Sequence, residues 1–245
     1  MLLTATLESV LPATPRAYLL RVAPEHPLAF AAGQAAAIGQ PGQGLRRPYS
    51  IAVGPEEAAR DRRLEFLVGA GPDGSVGPHL PELAVGMTLD LEGPFGTFTF
   101  PADPPERHFL FVAGGSGVAP LRSMLHHALS GDPSWRLSMI YSARTPDEFA
   151  FDTELTALAA DKRIRYRRTA TRDPGPDWAG DRGRVSRALL ETVVEDDATL
   201  CFVCGPESLV HEVPRMLLEM GVAPGRVRVD EWAGPPSGRA SAEEA

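Results

Sequence analysis

The run Arg46-Arg47-Pro48-Tyr49-Ser50 sets guanidinium, ring and hydroxyl side by side on a short stretch of strand-like sequence. An arginine can fork onto a pyrophosphate, a tyrosine ring can stack on a planar cofactor, and a strand hydroxyl can hydrogen-bond it. The same five residues also fit a barrel strand carrying a surface basic pair. A second run, "FVAGGSGVAPL" (Phe111 to Leu121), leads an apolar strand through Gly114, Gly115, Ser116 and Gly117 into a helix, with Pro120 suited to its first turn. Glycines let the backbone approach a bound group, and a helix start offers free N–H groups to phosphate oxygens. The bare alternative is a tight strand-to-helix turn with no ligand. The spacing departs from GxGxxG, so the ordinary dinucleotide fingerprint does not apply.

Three further places could take part. "YSARTPDEF" ends a strand at Arg144, where an acid would suit a ribose 2′-hydroxyl and an arginine a 2′-phosphate. Thr171 and Arg172 offer a second contact after the next strand, so the pattern leans towards NADPH over NADH; a solvated loop arginine is the plain alternative. "LCFVCGPESL" puts Cys204 at the end of a strand beside Gly205 and Pro206, at the edge where open α/β sheets bind ligands. Cys201 reads as inert core. "GPDGSVGPHL" (from Gly71), with Gly74, Ser75, Val76 and Gly77, could add backbone donors in a small anion nest.

These residues need elements to hold them. The chain has 245 residues, 43% hydrophobic and 23% charged, which describes a globular protein with a sizeable core. No apolar run reaches the length of a spanning helix, and "MLLTATLESVL" lacks the basic start of a signal peptide, so no membrane association and a cytoplasmic location are expected. A net charge of −8 argues against a nucleic-acid partner. Two cysteines cannot complete a zinc or iron–sulfur site, so no metal is expected.

The first hundred residues alternate in short runs ("LLTATLESVL", "RAYLLRV", "YSIAV", "RLEFLVGA", "MTLDLEG") broken by Gly/Pro turns, which predicts an antiparallel β-barrel or sandwich. After the Pro-rich "FPADPPERH", strands alternate with helices: "HFLFVA", "LSMIYS", "IRYRRTA", "ATLCFVC" and "VRVDEW" against "DTELTALAA", "VSRALLETVV" and "ESLVHEVPRMLLEMG". That series predicts a doubly wound parallel sheet, α/β in class. Pro214 is expected to kink or divide the last helix. The expected domains are 1–102 and 103–234, with a disordered tail at 235–245.

Taken together, the motifs resemble those of the ferredoxin–NADP reductase superfamily, in their family order, over roughly Leu3 to Gly234. The resemblance implies an antiparallel FAD-binding barrel followed by an NAD(P)-binding domain, and an FAD-dependent NAD(P)H oxidoreductase. Arg47-Pro48-Tyr49-Ser50 is similar to the family's RxYS motif: Arg47 would hold the FAD diphosphate, Tyr49 pack on the isoalloxazine, and Ser50 approach flavin N5. Arg46 falls outside the motif and reads as a solvated neighbour. Leu67 and Val68, closing "RLEFLV", join the implied FAD set. "GPDGSVGPHL" resembles the second diphosphate loop, with Gly77 where many members carry serine. "GPFGTF" resembles the barrel-closing turn, and "GGSGVAP" the family's GGTGxxP with Ser116 for threonine. "CGP" (Cys204 to Pro206) matches the nicotinamide-side motif, and "VRVDEWAG" the terminal strand, with Glu231 near the flavin. Ser50, Cys204 and Glu231 are the implied catalytic residues. The implied acceptor is a separate protein (a ferredoxin, flavodoxin or oxygenase). A free-flavin or small-acceptor reductase and a non-catalytic flavin-carrying subunit stay open.

Overall fold

The protein is described by a computed structural model covering residues 1–42, 44–70, 83–194, 196 and 198–231. Six strands build the first unit: β1 (Leu2–Thr14), β2 (Ala17–Pro24), β3 (Ala35–Gly39), β4 (Arg46–Ser50), β5 (Leu64–Gly69) and β6 (Thr88–Phe95). Their order is β4-β3-β6-β1-β2-β5, antiparallel throughout. The two edges meet just beyond β4, where Ile51 bridges Phe66 and the Ala52 amide donates to the Glu65 carbonyl at 2.8 Å. The sheet therefore closes into a barrel, which removes its exposed edges. Leu7, Leu20, Ile38, Ile51, Phe66 and Leu89 fill the interior.

Sequence patterning misses two elements here. β3 is "AAAIG", too small and too poor in β-branched residues to announce a strand; pairing with β4 and β6 on both sides imposes it. Helix α1 (Pro55–Asp61) hides in what reads as a loop, although Pro55 opens it and Glu56 and Glu57 complement its N-terminal dipole.

The second unit runs β7 (His108–Gly114), α2 (Val118–Ser130), β8 (Arg136–Ala143), α3 (Asp152–Ala160), β9 (Arg165–Ala170), β10 (Asp181–Arg182), α4 (Arg187–Glu191), β11 (Leu200–Gly205), α5 (Glu207–Glu219) and β12 (Val227–Glu231). The strands lie parallel in the order β10-β9-β8-β7-β11-β12. The chain winds outward from β7 and then returns to β11 on its other side, so the switch point falls between the carboxyl ends of β7 and β11. Helices cover both faces, and every residue of β7 is buried. Alternation sends Cys201 and Cys204, three apart on β11, into the two opposite cores.

Pro214 does not divide the last helix. α5 runs unbroken across it, because Leu209, Val210, Val213 and Leu217 bury one stripe against the sheet and hold the turn that proline weakens. The expected tail at 235–245 lies outside the described residues.

A buried polar seam joins the two units. Arg122 of α2 donates from Nη1 to the Ala52 carbonyl (2.6 Å) and to Glu65 Oε2 (2.9 Å), and pairs through Nη2 with Glu154 of α3 (2.8 Å). Its guanidinium also lies over the Phe151 ring. Ser123 Oγ donates to the Val53 carbonyl at 2.8 Å. Ala52, between Ile51 and Val53 of the barrel core, packs into the core of the second unit. "YSIAV" thus keeps its alternation while burying both faces, one in the barrel and one against the neighbouring sheet.

Candidate active site in the interdomain cleft

A cleft of about 520 Å³ opens between the units, lined among others by Ser50, Phe95, Gly96, Phe98, Arg228 and Asp230. Ser50 comes from the end of β4, Phe95 from the end of β6, and Arg228 and Asp230 from β12. Arg228 is already engaged: it donates to the Thr99 carbonyl at 3.2 Å and stands over the Phe202 ring.

Register decides which acid reaches the thiol. β11 and β12 pair Cys204 with Asp230 and Gly205 with Glu231. The Cys204 thiol accordingly donates to Asp230 Oδ2, at 3.7 Å. Burial pushes the Cys204 thiol well up, and the Asp230 carboxylate adds to the shift, so Cys204 stays protonated. Burial also raises Asp230. No cation pairs with Asp230 among the described residues, which leaves its carboxylate turned to the cleft. Sequence reasoning singled out Glu231 and passed over Asp230. The available signal was that only one of two adjacent acids on a strand can share a face with Cys204. Glu231 lies on β12, and its side chain is outside the described residues.

The "RRPYS" strand (β4) divides its groups between two faces. Arg47 and Tyr49 take one side, Arg46 and Ser50 the other, as a two-residue period demands. Tyr49 packs on the margin of the barrel core, where burial raises its hydroxyl to about 12. Arg46 is not a solvated neighbour. Its guanidinium bonds Asp90 Oδ2 and Glu92 Oε2 of β6, each at 2.9 Å, reaching across the intervening β3. Gly39, paired with both Arg46 and Asp90, makes that reach possible: a Cβ there would stand 2.7 Å from Arg46 Cγ. Leu67 and Val68 are core residues whose side chains face the second unit and the barrel interior. Gly74, Ser75, Val76 and Gly77 lie outside the described residues.

At the switch point, Gly115–Gly117 form a single 3-10 turn that runs directly into α2. Gly115 adopts φ +54°, with nothing within 4 Å of where a Cβ would point. A Cβ on Gly117 would come within 2.4 Å of the Cys204 carbonyl oxygen, and one on Gly114 within 2.6 Å of Pro206 Cδ. The glycines therefore let the turn lie flat on the Cys204-Gly205-Pro206 loop. Ser116 is exposed, Pro120 is buried in the first turn of α2, and neither segment carries an acid or a side-chain cap there. Uncapped N–H groups at an acid-free helix start, in front of open space, fit a phosphate. Arg144 and Arg172 follow β8 and β9, with the Arg172 amide bonded to the Arg144 carbonyl at 2.9 Å. Both are exposed together with Thr171, and neither guanidinium enters an ion pair among the described residues. Those residues also contain no cluster of three or more metal-ligating side chains and no helix long and apolar enough to cross a membrane.

The chain matches the oxidoreductase FAD-binding domain over residues 8–100 and the oxidoreductase NAD-binding domain over 111–214. It is 37% identical over 202 residues to ferredoxin–NADP reductase B of Sorangium cellulosum, covering 78% of this chain and 80% of that one. It is 31% identical to the glycine betaine monooxygenase reductase subunit of Chromohalobacter salexigens, covering 83% of this chain and only 56% of that longer protein. Among solved structures, a cytochrome P450 reductase from Amycolatopsis superposes with a TM-score of 0.83 at 26% identity, over 94% of this chain and 69% of that one. A ferredoxin NADP+ reductase from Neisseria gonorrhoeae with bound FAD and NADP superposes at 0.78, over 94% and 98% of the two chains; at 23% identity it speaks to the fold alone. With both domains matched in order around one cleft, the chain belongs to the ferredoxin–NADP reductase superfamily, the flavoprotein NAD(P)H reductases built from an FAD-binding barrel and an NAD(P)-binding sheet.

Proposed function

We propose that this reductase draws on NADPH and passes electrons to a separate redox protein: a ferredoxin, a flavodoxin or an oxygenase component. When bound, the flavin takes a hydride from the reduced nicotinamide and can release electrons singly or in pairs. The observation that carries the reading is the convergence of Ser50 from the barrel with Asp230, and Cys204 behind it, at one interdomain cleft. The chain's part is orientation, which can supply much of the rate in such a transfer.

In this reading residues 1–102 carry the flavin and 103–234 the coenzyme. Arg47 takes the FAD diphosphate, Tyr49 the ring system, and Ser50 the reacting edge. The Gly114–Gly117 turn takes the coenzyme pyrophosphate, and Asp230 keeps the Cys204 thiol in one orientation beside the nicotinamide. Two exposed guanidiniums, Arg144 and Arg172, with no acid at the end of β8, support a 2′-phosphate and hence NADPH. A separate acceptor is supported by relatives named as a ferredoxin–NADP reductase and as the reductase subunit of a monooxygenase.

The test is a visible spectrum of the purified chain, then anaerobic titration with NADPH and NADH separately, then transfer to a ferredoxin and to a flavodoxin. Flavin bands that bleach with NADPH at lower concentration than with NADH, followed by acceptor reduction, are expected. A colourless protein that takes up no FAD would overturn the reading. Bleaching with transfer only to free flavin or to small quinones would replace the protein partner with a small acceptor.

A further inference from the structure

The phenol of Tyr141 is fully buried at the carboxyl end of β8, with its ring in the core that holds Phe111 and Phe149 and its hydroxyl spent on main-chain groups. It donates to the Gly115 carbonyl at 3.0 Å and accepts from the Ala150 amide at 3.2 Å. Gly115 is the φ +54° residue of the glycine turn. Ala150 ends the segment that leaves β8 through Arg144. The Tyr141 ring meets Phe149 edge-on, centroids 5.0 Å apart, and Phe149 stacks on Trp178 at 5.5 Å. Trp178 sits in the segment after β9 that begins with Thr171 and Arg172. Two of the segments proposed to hold the coenzyme thus meet on the Tyr141 hydroxyl, and the third reaches its ring through Phe149. Burial pushes the Tyr141 hydroxyl up, so it remains a donor at any ordinary pH.

We infer that Tyr141 is a positioning residue that couples the glycine turn, at the pyrophosphate end of the coenzyme site, to the Arg144 and Arg172 segments at its 2′-phosphate end. The inference rests on the reading of this sheet edge as the NAD(P)H site. Its physical basis is the pairing of two main-chain groups from different segments through one rigid phenol. Without the hydroxyl, the Gly115 carbonyl and the Ala150 amide each lose a buried partner, and each segment is free to relax alone. Filling one end of the site then no longer helps to order the other.

Tyr141→Phe removes only the hydroxyl and keeps the edge-on ring contact. In the FAD-loaded protein it is expected to raise the KM for NADPH about fivefold, the scale of one internal hydrogen bond, with kcat on ferricyanide unchanged. NADP+ titration supplies the second readout, through a double-mutant cycle with Arg144→Ala: the loss caused by Arg144→Ala should be smaller in the Tyr141→Phe background than in the parent. Unchanged KM, or losses that simply multiply, would overturn the coupling. So would Tyr141→Phe lowering FAD content, which would mark a general packing role. If Arg144→Ala alone leaves NADP+ affinity untouched, the 2′-phosphate reading fails instead, and the KM-against-kcat split of Tyr141→Phe still decides the role of Tyr141. If Tyr141→Phe does not fold, amide exchange decides. In the parent, NADP+ should slow exchange at Ala150 and across Gly115–Gly117 together; protection of only one segment would overturn the inference.

Discussion

His126 of α2 and Glu57 of α1 face each other across the domain boundary, Nδ1 to Oε2 at 2.8 Å, while the other ring nitrogen of His126 meets Glu154 of α3. A neutral imidazole has one donor, so two carboxylates on its two nitrogens require the imidazolium. Burial alone would push His126 down, but Glu154 and Glu57 outweigh it and its pKa ends raised. Hydrogen bonding to His126 holds Glu57 down, and Glu154, despite its burial, is lowered to about 2 by His126 and Arg122.

The pH dependence of this clamp follows in sign. A raised histidine stabilises the fold fully below its unfolded value of 6.5, and that share is lost as pH climbs through the folded value. The lowered glutamates stabilise above their unfolded value of 4.5, a share lost as pH falls through their folded values. The clamp is therefore strongest between those two unfolded values. His126→Gln should lower Tm by several degrees near about pH 6 and by much less near about pH 9. Paired thermal melts of parent and variant across that range are the measurement, and a pH-independent gap would refute the imidazolium.

The two arginines of "RRPYS" should separate under mutation. Arg46 is tied to Asp90 and Glu92 across Gly39, so Arg46→Ala should lower Tm by roughly 2–4 °C with FAD affinity nearly kept. Arg47→Ala should leave Tm of the FAD-free protein unchanged and weaken FAD by about tenfold or more, the scale of a charge-assisted contact. Fluorescence titration with FAD beside thermal melts distinguishes them, and the reverse pattern would exchange their roles.

Much of this is legible in the sequence itself. Long apolar alternations such as "RLEFLVGA" and the continuous "HFLFVA" announce strands because their cores leave few alternatives. The glycine turn was legible because strand, glycines and helix follow one another within eleven residues. What escaped depended on contacts between distant segments. β3 is held by its neighbours rather than by propensity, and Arg46 looked free because its acids lie more than forty residues away. Which of the two neighbouring acids Asp230 and Glu231 stands opposite Cys204 follows only from the β11–β12 register. Nothing in "LSMIYS" marks Tyr141, because its two main-chain partners, Gly115 and Ala150, lie on other segments.

Asp230 and Cys204 make a prediction about rate. Asp230→Asn removes the carboxylate charge that accepts the Cys204 hydrogen bond and lines the cleft with Ser50. Flavin reduction by NADPH, followed by stopped flow, should slow about tenfold in Asp230→Asn and also in Ser50→Ala. FAD content should be unchanged in both. A rate equal to the parent in either variant would remove that residue from the reacting surface.

The glycine turn makes the sharpest contrast, because its two outer members are glycine for different reasons. At Gly117 a methyl group would be driven to within 2.4 Å of the Cys204 carbonyl oxygen, a main-chain atom of a central strand that cannot step aside. Gly117→Ala should therefore cost about 1–3 kcal/mol of stability, as overpacking does, and spread the turn from the Cys204 loop. At Gly115 the same methyl group would meet nothing within 4 Å, so only its φ of +54° opposes it. That conformation costs a non-glycine residue about 1 kcal/mol. The new methyl points into the open space in front of the α2 start, where a phosphate would approach. Gly115→Ala should thus keep most of its stability and lose coenzyme affinity, while Gly117→Ala loses stability first. Denaturant unfolding beside NADP+ titration of the FAD-loaded variants reads both. Equal stability losses at the two positions would mean that the turn does not lie against β11 as described.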